Sequence, residues 1–250
     1  MKIQKFVKDN SNKYKVYVDD EVYKLYDDII VKYSLTMKSD ISKEEFDKVL
    51  EENDKLSSYY ESIKYISRKM RSTKEIKEYL RGKDISESVI TETVNRLKEN
   101  NFLNDDLYLK AYVTDRLNLS NDGPNKIKKN LIKLGIFEDK INDYLSNIDE
   151  SIYEDRIRSY VDKKIKVNHT NSGIMLKAKL QNDLVNLGYD RSMVISMLSS
   201  YSINDKDVYD KELEKITNRL SKKYEGKELE FKIKEAMYRK GFKKGDYYEE

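Results

Sequence analysis

Four stretches decide how this chain folds: RSTKEIKEYLRGKDI at residues 71–85, GPNKIKKNLIKLGI at 123–136, LKAKLQNDLVNLGY at 176–189 and LEFKIKEAMYRKGF at 229–242. Stacked, they bring Ile76, Ile127, Leu180 and Ile233 into one column, at steps of 51, 53 and 53 residues. Leu80, Leu131, Leu184 and Met237 follow four positions later, and Ile85, Ile136, Tyr189 and Phe242 nine positions after the first column. Glycine precedes that last column in three copies, as Gly135, Gly188 and Gly241, and Asp84 takes its place in the first. An apolar pair four apart with glycine a few residues on reads as an amphipathic helix ending in a C-cap of positive φ.

Working outward, each copy follows a longer amphipathic segment: Tyr59 to Arg71, Leu107 to Leu119, Asp155 to Lys166 and Tyr209 to Tyr224. The first three copies are followed by another, Ser86 to Asn100, Phe137 to Asn147 and Asp190 to Tyr201. The unit is therefore three helices, and the fourth copy lacks its third. A period near 52 residues is too long for a tetratricopeptide unit. Ser72 with Glu75 forms a capping-box pattern, and Pro124, the only proline, stands where a first helical turn tolerates a missing N–H. Gly82 and the pair Asn100-Asn101 complete the stop signals.

Residues 1–54 read differently. Ile3 to Val7 and Lys13 to Val18 alternate like strands around Asp9 to Asn12, a hairpin signal, and Glu21 to Tyr26 adds a strand or leads straight into a helix over Asp27 to Tyr33. Ser42 with Glu45 opens helical spacing at Phe46, Val49 and Leu50. The expected fold is all-α: tandem three-helix repeats forming an elongated curved solenoid, with a small N-terminal β-hairpin and helix extension. The expected divisions are 1–54, 55–103, 104–148, 149–203 and a partial repeat with tail at 204–250.

Composition excludes several classes. Of 250 residues 38% are charged, and there is no cysteine, so no thiol nucleophile and no thiolate-held metal. The single histidine, His169, sits in the polar connector Asn168 to Ser172 with no carboxylate predicted beside it, which reads as a solvated loop. Asp105-Asp106 and Asp149-Glu150 read as helix N-terminal charges, and Glu249-Glu250, with Tyr247 and Tyr248, as a solvated tail. Most of the 21 tyrosines, Tyr112 and Tyr160 among them, fall at core spacing. No phosphate-cradling glycine loop occurs. Neither a long apolar run nor a signal-peptide pattern is present, so a cytoplasmic protein without enzymatic activity, metal or cofactor is expected.

Charge is unevenly placed. Net charge is −3 over residues 1–54 and +6 over 55–250. Seven basic residues between Arg68 and Lys83 face only Glu75 and Glu78, and Lys126, Lys128, Lys129 and Lys133 face no acid within 123–134. Arg158, Lys163, Lys164, Lys166, Lys177 and Lys179 face only Asp162. Such clusters recurring in stacked repeats would make a basic stripe suited to a phosphate backbone or an acidic protein groove. The simpler reading, lysines that only solvate helix faces, gives a generic helical scaffold. A helix-turn-helix reading puts Ser86 to Asn100 in a major groove, against the acidity of Glu87, Glu92 and Glu99.

The strings themselves resemble the RecX family, regulators of the RecA recombinase. The likeness rests on RKMRSTKEIKEYL at 68–80, VITETVNRLKENNFLND at 89–105, and Tyr112-Val113, Arg116, Gly123-Pro124, Ile127, Leu131 and Gly135-Ile136 in order. It is strong over about residues 56–150 and weaker to 245, and residues 1–54 look like the extension of longer members. The extra partial repeat and the lysine-rich basic set depart from the usual pattern. The resemblance implies a non-enzymatic monomer that binds the RecA filament on single-stranded DNA within its groove. It would damp ATP hydrolysis and strand exchange in recombination, repair and the SOS response. On that footing Arg68, Arg71, Lys74, Arg116, Lys126, Lys128, Lys129, Lys163, Lys164, Lys177 and Lys179 are the expected contacts to phosphate or to acidic RecA side chains.

Overall fold

The structure, a computed structural model, describes residues 1–10 and 12–242; the tail carrying Tyr247, Tyr248 and Glu249-Glu250 lies outside them. The N-terminal signals resolve into three antiparallel strands in the order β1 (Ile3–Asn10), β2 (Lys13–Val18) and β3 (Glu21–Tyr26). The third segment does both things its sequence allowed, since β3 runs straight into α1 (Asp27–Lys32). A short 3-10 turn at Leu35–Met37 leads to α2 (Lys43–Ile66), and everything after is helical.

The helices are α3 (Thr73–Arg81), α4 (Glu87–Glu99), α5 (Asp105–Leu119), α6 (Pro124–Lys133), α7 (Glu138–Ser146), α8 (Glu150–Lys166), α9 (Gly173–Asn186), α10 (Arg191–Ser199), α11 (Lys206–Leu220) and α12 (Gly226–Arg239). They group as the triplets α2–α4, α5–α7 and α8–α10 and a two-helix fourth copy; the helix expected over Tyr59 to Arg71 is instead α2, which begins at Lys43 and ends at Ile66. Contacts divide the chain into two compact units, Met1–Leu109 with Leu134–Ile136, and Lys110–Lys133 with Phe137–Glu250.

In the first unit one core runs from the sheet into the first repeat. Val16, Val18 and Leu25 of the sheet, Phe46, Val49 and Leu56 of α2, and Ile76, Leu80, Ile90 and Leu97 of α3 and α4 are buried in a single cluster. The helix α2 carries the chain without a break across residues 54 and 55, because no glycine or proline interrupts it and its apolar face turns continuously inward. Buried Asn53 fastens it to the sheet, accepting from the Tyr26 N–H at 2.9 Å and donating to the Lys24 carbonyl at 3.2 Å. The second unit holds two clusters among its described residues, one around Ile157, Val161, Leu180, Leu184 and Val194, the other around Tyr209, Ile216, Met237 and Phe242.

A joint between helix ends recurs in both units. Ser72 caps α3 with a full capping box, and its hydroxyl donates to the Leu134 carbonyl at 2.7 Å. Gly135, at φ +83°, lies against Lys74; a Cβ there would stand 2.7 Å from that of Lys74. In the second unit the Gly123 N–H donates to the Leu187 carbonyl at 2.6 Å and the Asn125 N–H to the Gly188 carbonyl at 3.0 Å. Gly188, at φ +93°, faces the start of α6, so that a Cβ would come within 2.5 Å of the Lys126 nitrogen. Gly241, at φ +82°, meets Ser172 and Met175 at the start of α9 in the same way. Asp84, standing in for glycine in the first copy, also adopts positive φ, +61°. The glycines therefore serve two ends: they cap their own helix and admit the first turn of another.

Counted from their caps, α9 and α12 have 14 residues against 9 and 10 for α3 and α6. The glycine register aligns the helix C-termini, while the later copies begin about a turn earlier. Leu176 therefore occupies the place, four residues after the cap, that Ile76 and Ile127 hold.

Gly188→Ala should destabilise the protein by about 3 kcal/mol or more, the positive φ and the backbone clash adding. Gly226→Ala, at φ +60° with open space around it, should cost only about 1–2 kcal/mol. Thermal unfolding separates the two, at about 2–4 °C per kcal/mol for a chain of this size. The Tyr60 hydroxyl donates to Asp28 at 2.6 Å, and this bond, with burial, pushes its pKa from 10.0 up to about 12. A pKa raised in the folded state means stability present below pH 10 and lost as pH climbs towards about 12. Tyr60→Phe should flatten that part of the alkaline stability profile measured by urea unfolding.

Candidate functional site

Of the eleven basic residues singled out in sequence, Arg68 is exposed just beyond α2 and has no carboxylate within ion-pair distance among the described residues. Lys129, Lys163, Lys164 and Lys179 are likewise exposed on α6, α8 and α9. Lys164 lies over the Tyr160 ring at 5.4 Å. Lys177 is half-buried and borders a recess with Ile174, Ser200, Ile203 and Asn204.

Five others are engaged locally. Arg71 pairs with Glu75 at 3.0 Å, lies over the Tyr65 ring at 4.0 Å and keeps its Nε buried. Arg116 is half-buried over Tyr112 at 4.9 Å, its Nε also buried. Lys74 is exposed 3.7 Å from Glu78, Lys126 pairs with Asp122 at 2.7 Å, and Lys128 with Glu138 at 2.8 Å. The lysine pairs are partly solvated and exchangeable, worth about 0–1 kcal/mol each. Arg71 and Arg116 are packed into the fold, and release would break their packing as well as their charge contacts.

Sequence reading missed Arg156 of α8. Its guanidinium gathers the carbonyls that α5 leaves open at its C-terminus: it donates to Leu117, to Ser120 at 2.7 Å and to Asp122 at 3.2 Å, while its Nε reaches the Tyr189 hydroxyl at 3.3 Å. A cation at a helix C-terminus satisfies both the dipole and the orphan acceptors. One signal was present: with 10 arginines against 39 lysines, an arginine inside a helix is the rarer choice and a candidate for multiple hydrogen bonds.

The residues weighed for other chemistry fall as the helix ends require. Asp149 caps α8, accepting from the Ser151 N–H at 2.9 Å, and its carboxyl is held below the usual range by the Ser151 hydroxyl and N–H. Asp105 accepts from the Thr73 N–H at 2.8 Å. His169 is exposed in the connector after α8, and Tyr160 packs at the edge of the second unit's larger core. Among the described residues no helix is long and apolar enough to cross a membrane.

Tandem three-helix repeats behind a small sheet, with surface cations and structural arginines, define a modular helical protein. The family profile described as "RecX, first three-helix domain" matches residues 59–97. A protein named Regulatory protein RecX from Lactococcus lactis subsp. cremoris is 30% identical over 241 residues, covering 92% of this chain and 88% of its own length. One of the same name from Bacillus cytotoxicus is 27% identical over 252 residues, covering 97% and 92%. A crystal structure of regulatory protein RecX shares the fold at a TM-score of 0.66, with 20% identity over 80% of this chain and 99% of that one. RecX from Lactobacillus salivarius matches at a TM-score of 0.54 and 27% identity, over 58% of this chain and 95% of that one. The chain belongs to the RecX family of regulatory proteins.

Arg156→Ala should destabilise the protein by about 2–3 kcal/mol, since several carbonyls lose a charged donor at once. Lys129→Ala, at an exposed position, should stay within about 0.5 kcal/mol of the parent. Urea unfolding followed by circular dichroism compares the two.

Proposed function

We propose that this protein is a non-enzymatic modulator of RecA that binds along the RecA–single-stranded DNA filament groove and damps ATP hydrolysis and strand exchange. The observation that carries this reading is membership of a family of regulatory proteins, supported over nearly the whole chain. The repeated basic clusters supply its physical means: a cation that neutralises a phosphate releases a counterion, so many dispersed lysines give binding without sequence preference. Exposed Arg68, Lys129, Lys163, Lys164 and Lys179, with half-buried Lys177, are the contacts proposed first, and Lys74, Lys126 and Lys128 join by exchanging their carboxylates for phosphate. Arg71 and Arg116 act by holding the helices that present the others. The protein would work as a cytoplasmic monomer in recombination and repair, favouring the filament state to which it binds more tightly.

The acidity of α4 disfavours an operator-reading role, since Glu87 pairs with Arg81 at 2.5 Å and leaves Glu92 and Glu99 exposed on the helix a major groove would receive.

Fluorescence anisotropy with labelled single strands, with and without RecA and a slowly hydrolysed ATP analogue, tests the proposal beside RecA ATPase. Tighter binding to the filament and suppressed ATPase are expected. The triple charge reversal Lys126→Glu, Lys128→Glu and Lys129→Glu should weaken filament binding about tenfold or more at low salt. Equal affinity for filament and bare strand, with ATPase untouched, would refute it.

A further inference from the structure

The C-terminal end of α2 and the helix α3 enclose a recess of about 290 Å³ in the first unit, lined by Glu61, Lys64, Tyr65, Arg68, Tyr79 and Lys83. Only Arg68 belongs to the contacts named so far. On α2, Glu61, Lys64, Tyr65 and Arg68 follow at spacings of three, one and three, which sets them along one side of the helix and its first residues beyond.

The walls of this recess are packed against one another. The Tyr65 and Tyr79 rings stack 4.1 Å apart and 7° from parallel. Arg71 covers the other face of Tyr65 at 4.0 Å, and Lys83 stands 5.2 Å from the Tyr79 centroid. Both faces of Tyr65 are thus covered, by Tyr79 and by Arg71, and Lys83 stands at the hydroxyl edge of Tyr79. What remains open is charge. Lys83 is held by the Glu61 carboxylate and the Tyr79 hydroxyl. Lys64 and Arg68 are exposed four residues apart with no carboxylate partner among the described residues. Like charges at that spacing repel. The C-terminus of α2 accounts for Lys64, which lies in its last turn, but not for Arg68 and Lys83 converging on the same space. Three cations against one carboxylate around a recess fit one tetrahedral dianionic or monoanionic group, and a guanidinium beside it can bind two phosphate oxygens at once.

We propose that this recess is a phosphate site that seats one or two successive phosphodiesters of a single nucleic-acid strand, held by Lys64, Arg68 and Lys83 against the Tyr65–Tyr79 stack. It reads the backbone and not the bases, because the groups it offers are cations and Tyr65 is covered on both faces. This rests on the filament-binding reading above, and assigns to the first repeat a defined anchor within it.

The test is anisotropy of the full chain with labelled oligothymidine and a mixed-sequence strand across a salt series, comparing the parent with Lys64→Gln/Arg68→Gln. Both positions are exposed, and an unchanged thermal midpoint shows that the fold is intact. The expected result is an affinity loss of about tenfold, equal for both strands, and a log–log salt slope shallower by about 1.4, the share of two single-strand phosphates. Parent binding with no change in affinity or slope in the variant overturns the site. So does a parent that binds neither strand. A variant that keeps strand affinity but loses its effect on RecA ATPase would assign the cations to an acidic protein surface, and also overturns it. Displacement of the strand by inorganic phosphate at matched ionic strength would assign the recess to the free ion and overturn the strand site as well. The broader reading fails separately, when the parent binds bare strands through this recess yet shows no filament preference and no effect on ATPase.

Discussion

Everything in the repeat array depends on one contact, the end of one helix set against the beginning of another. The first turn of a helix offers N–H groups without partners, and the last turn offers carbonyls in the same condition. Here the two deficits are matched: the Gly123 and Asn125 N–H groups donate to the Leu187 and Gly188 carbonyls, while at α3 the hydroxyl of the cap Ser72 serves the Leu134 carbonyl. The opposed ends of the helix dipoles also face one another favourably. At Gly188 a Cβ would strike the Lys126 backbone, and at Gly135 and Gly241 the side chains of Lys74, Ser172 and Met175, so the accepting turn carries glycine at all three. A helix end that must otherwise be solvated or capped thus becomes the joint.

The fine detail varies with what each first turn can donate. At α3 and α9 the first N–H is taken by a carboxylate from the following copy, Asp105 on Thr73 and Asp205 on Gly173. At α6 the first residue is Pro124, which has no N–H to give, and Asp149 of the following copy caps its own helix α8. Proline there and an inward-turned aspartate are two sides of one arrangement.

Much of this was legible. The column spacing fixed helix number and order, Ser72 and Glu75 announced a capping box that forms in full, and the glycines announced positive φ. What the glycine register concealed was the extra turn at the start of α9 and α12, because an insertion of about one helical turn leaves the apolar face in phase. The composition shift near residue 54 reflects surface charge, and a core that is continuous beneath it does not register in net charge. For the candidate cations the sequence shows residue type and not exposure. Lysine and arginine count alike in a charge sum, yet Arg71, Arg96, Arg116 and Arg156 are spent on rings and carbonyls. Which cations remain free is settled by neighbours distant in sequence, such as Glu138 beside Lys128.

That division bears on how a lysine-rich surface binds a polyanion. An exposed ammonium facing a phosphate in water gains little by itself, and each such contact is screened within about 8 Å at physiological salt. Useful affinity then has to come from many contacts made at once, where the second and later ones are effectively intramolecular. This advantage survives only if the contacts keep a fixed spacing within each compact unit. The glycine joints and the half-buried arginines Arg71, Arg116 and Arg156 supply that fixity. Weakening Gly188 or Arg156 would therefore cost binding without removing one contact, whereas removing a single lysine would cost little. Arg71, Arg116 and Arg156, packed on rings and carbonyls, act within each unit as struts that keep the exposed lysines in register.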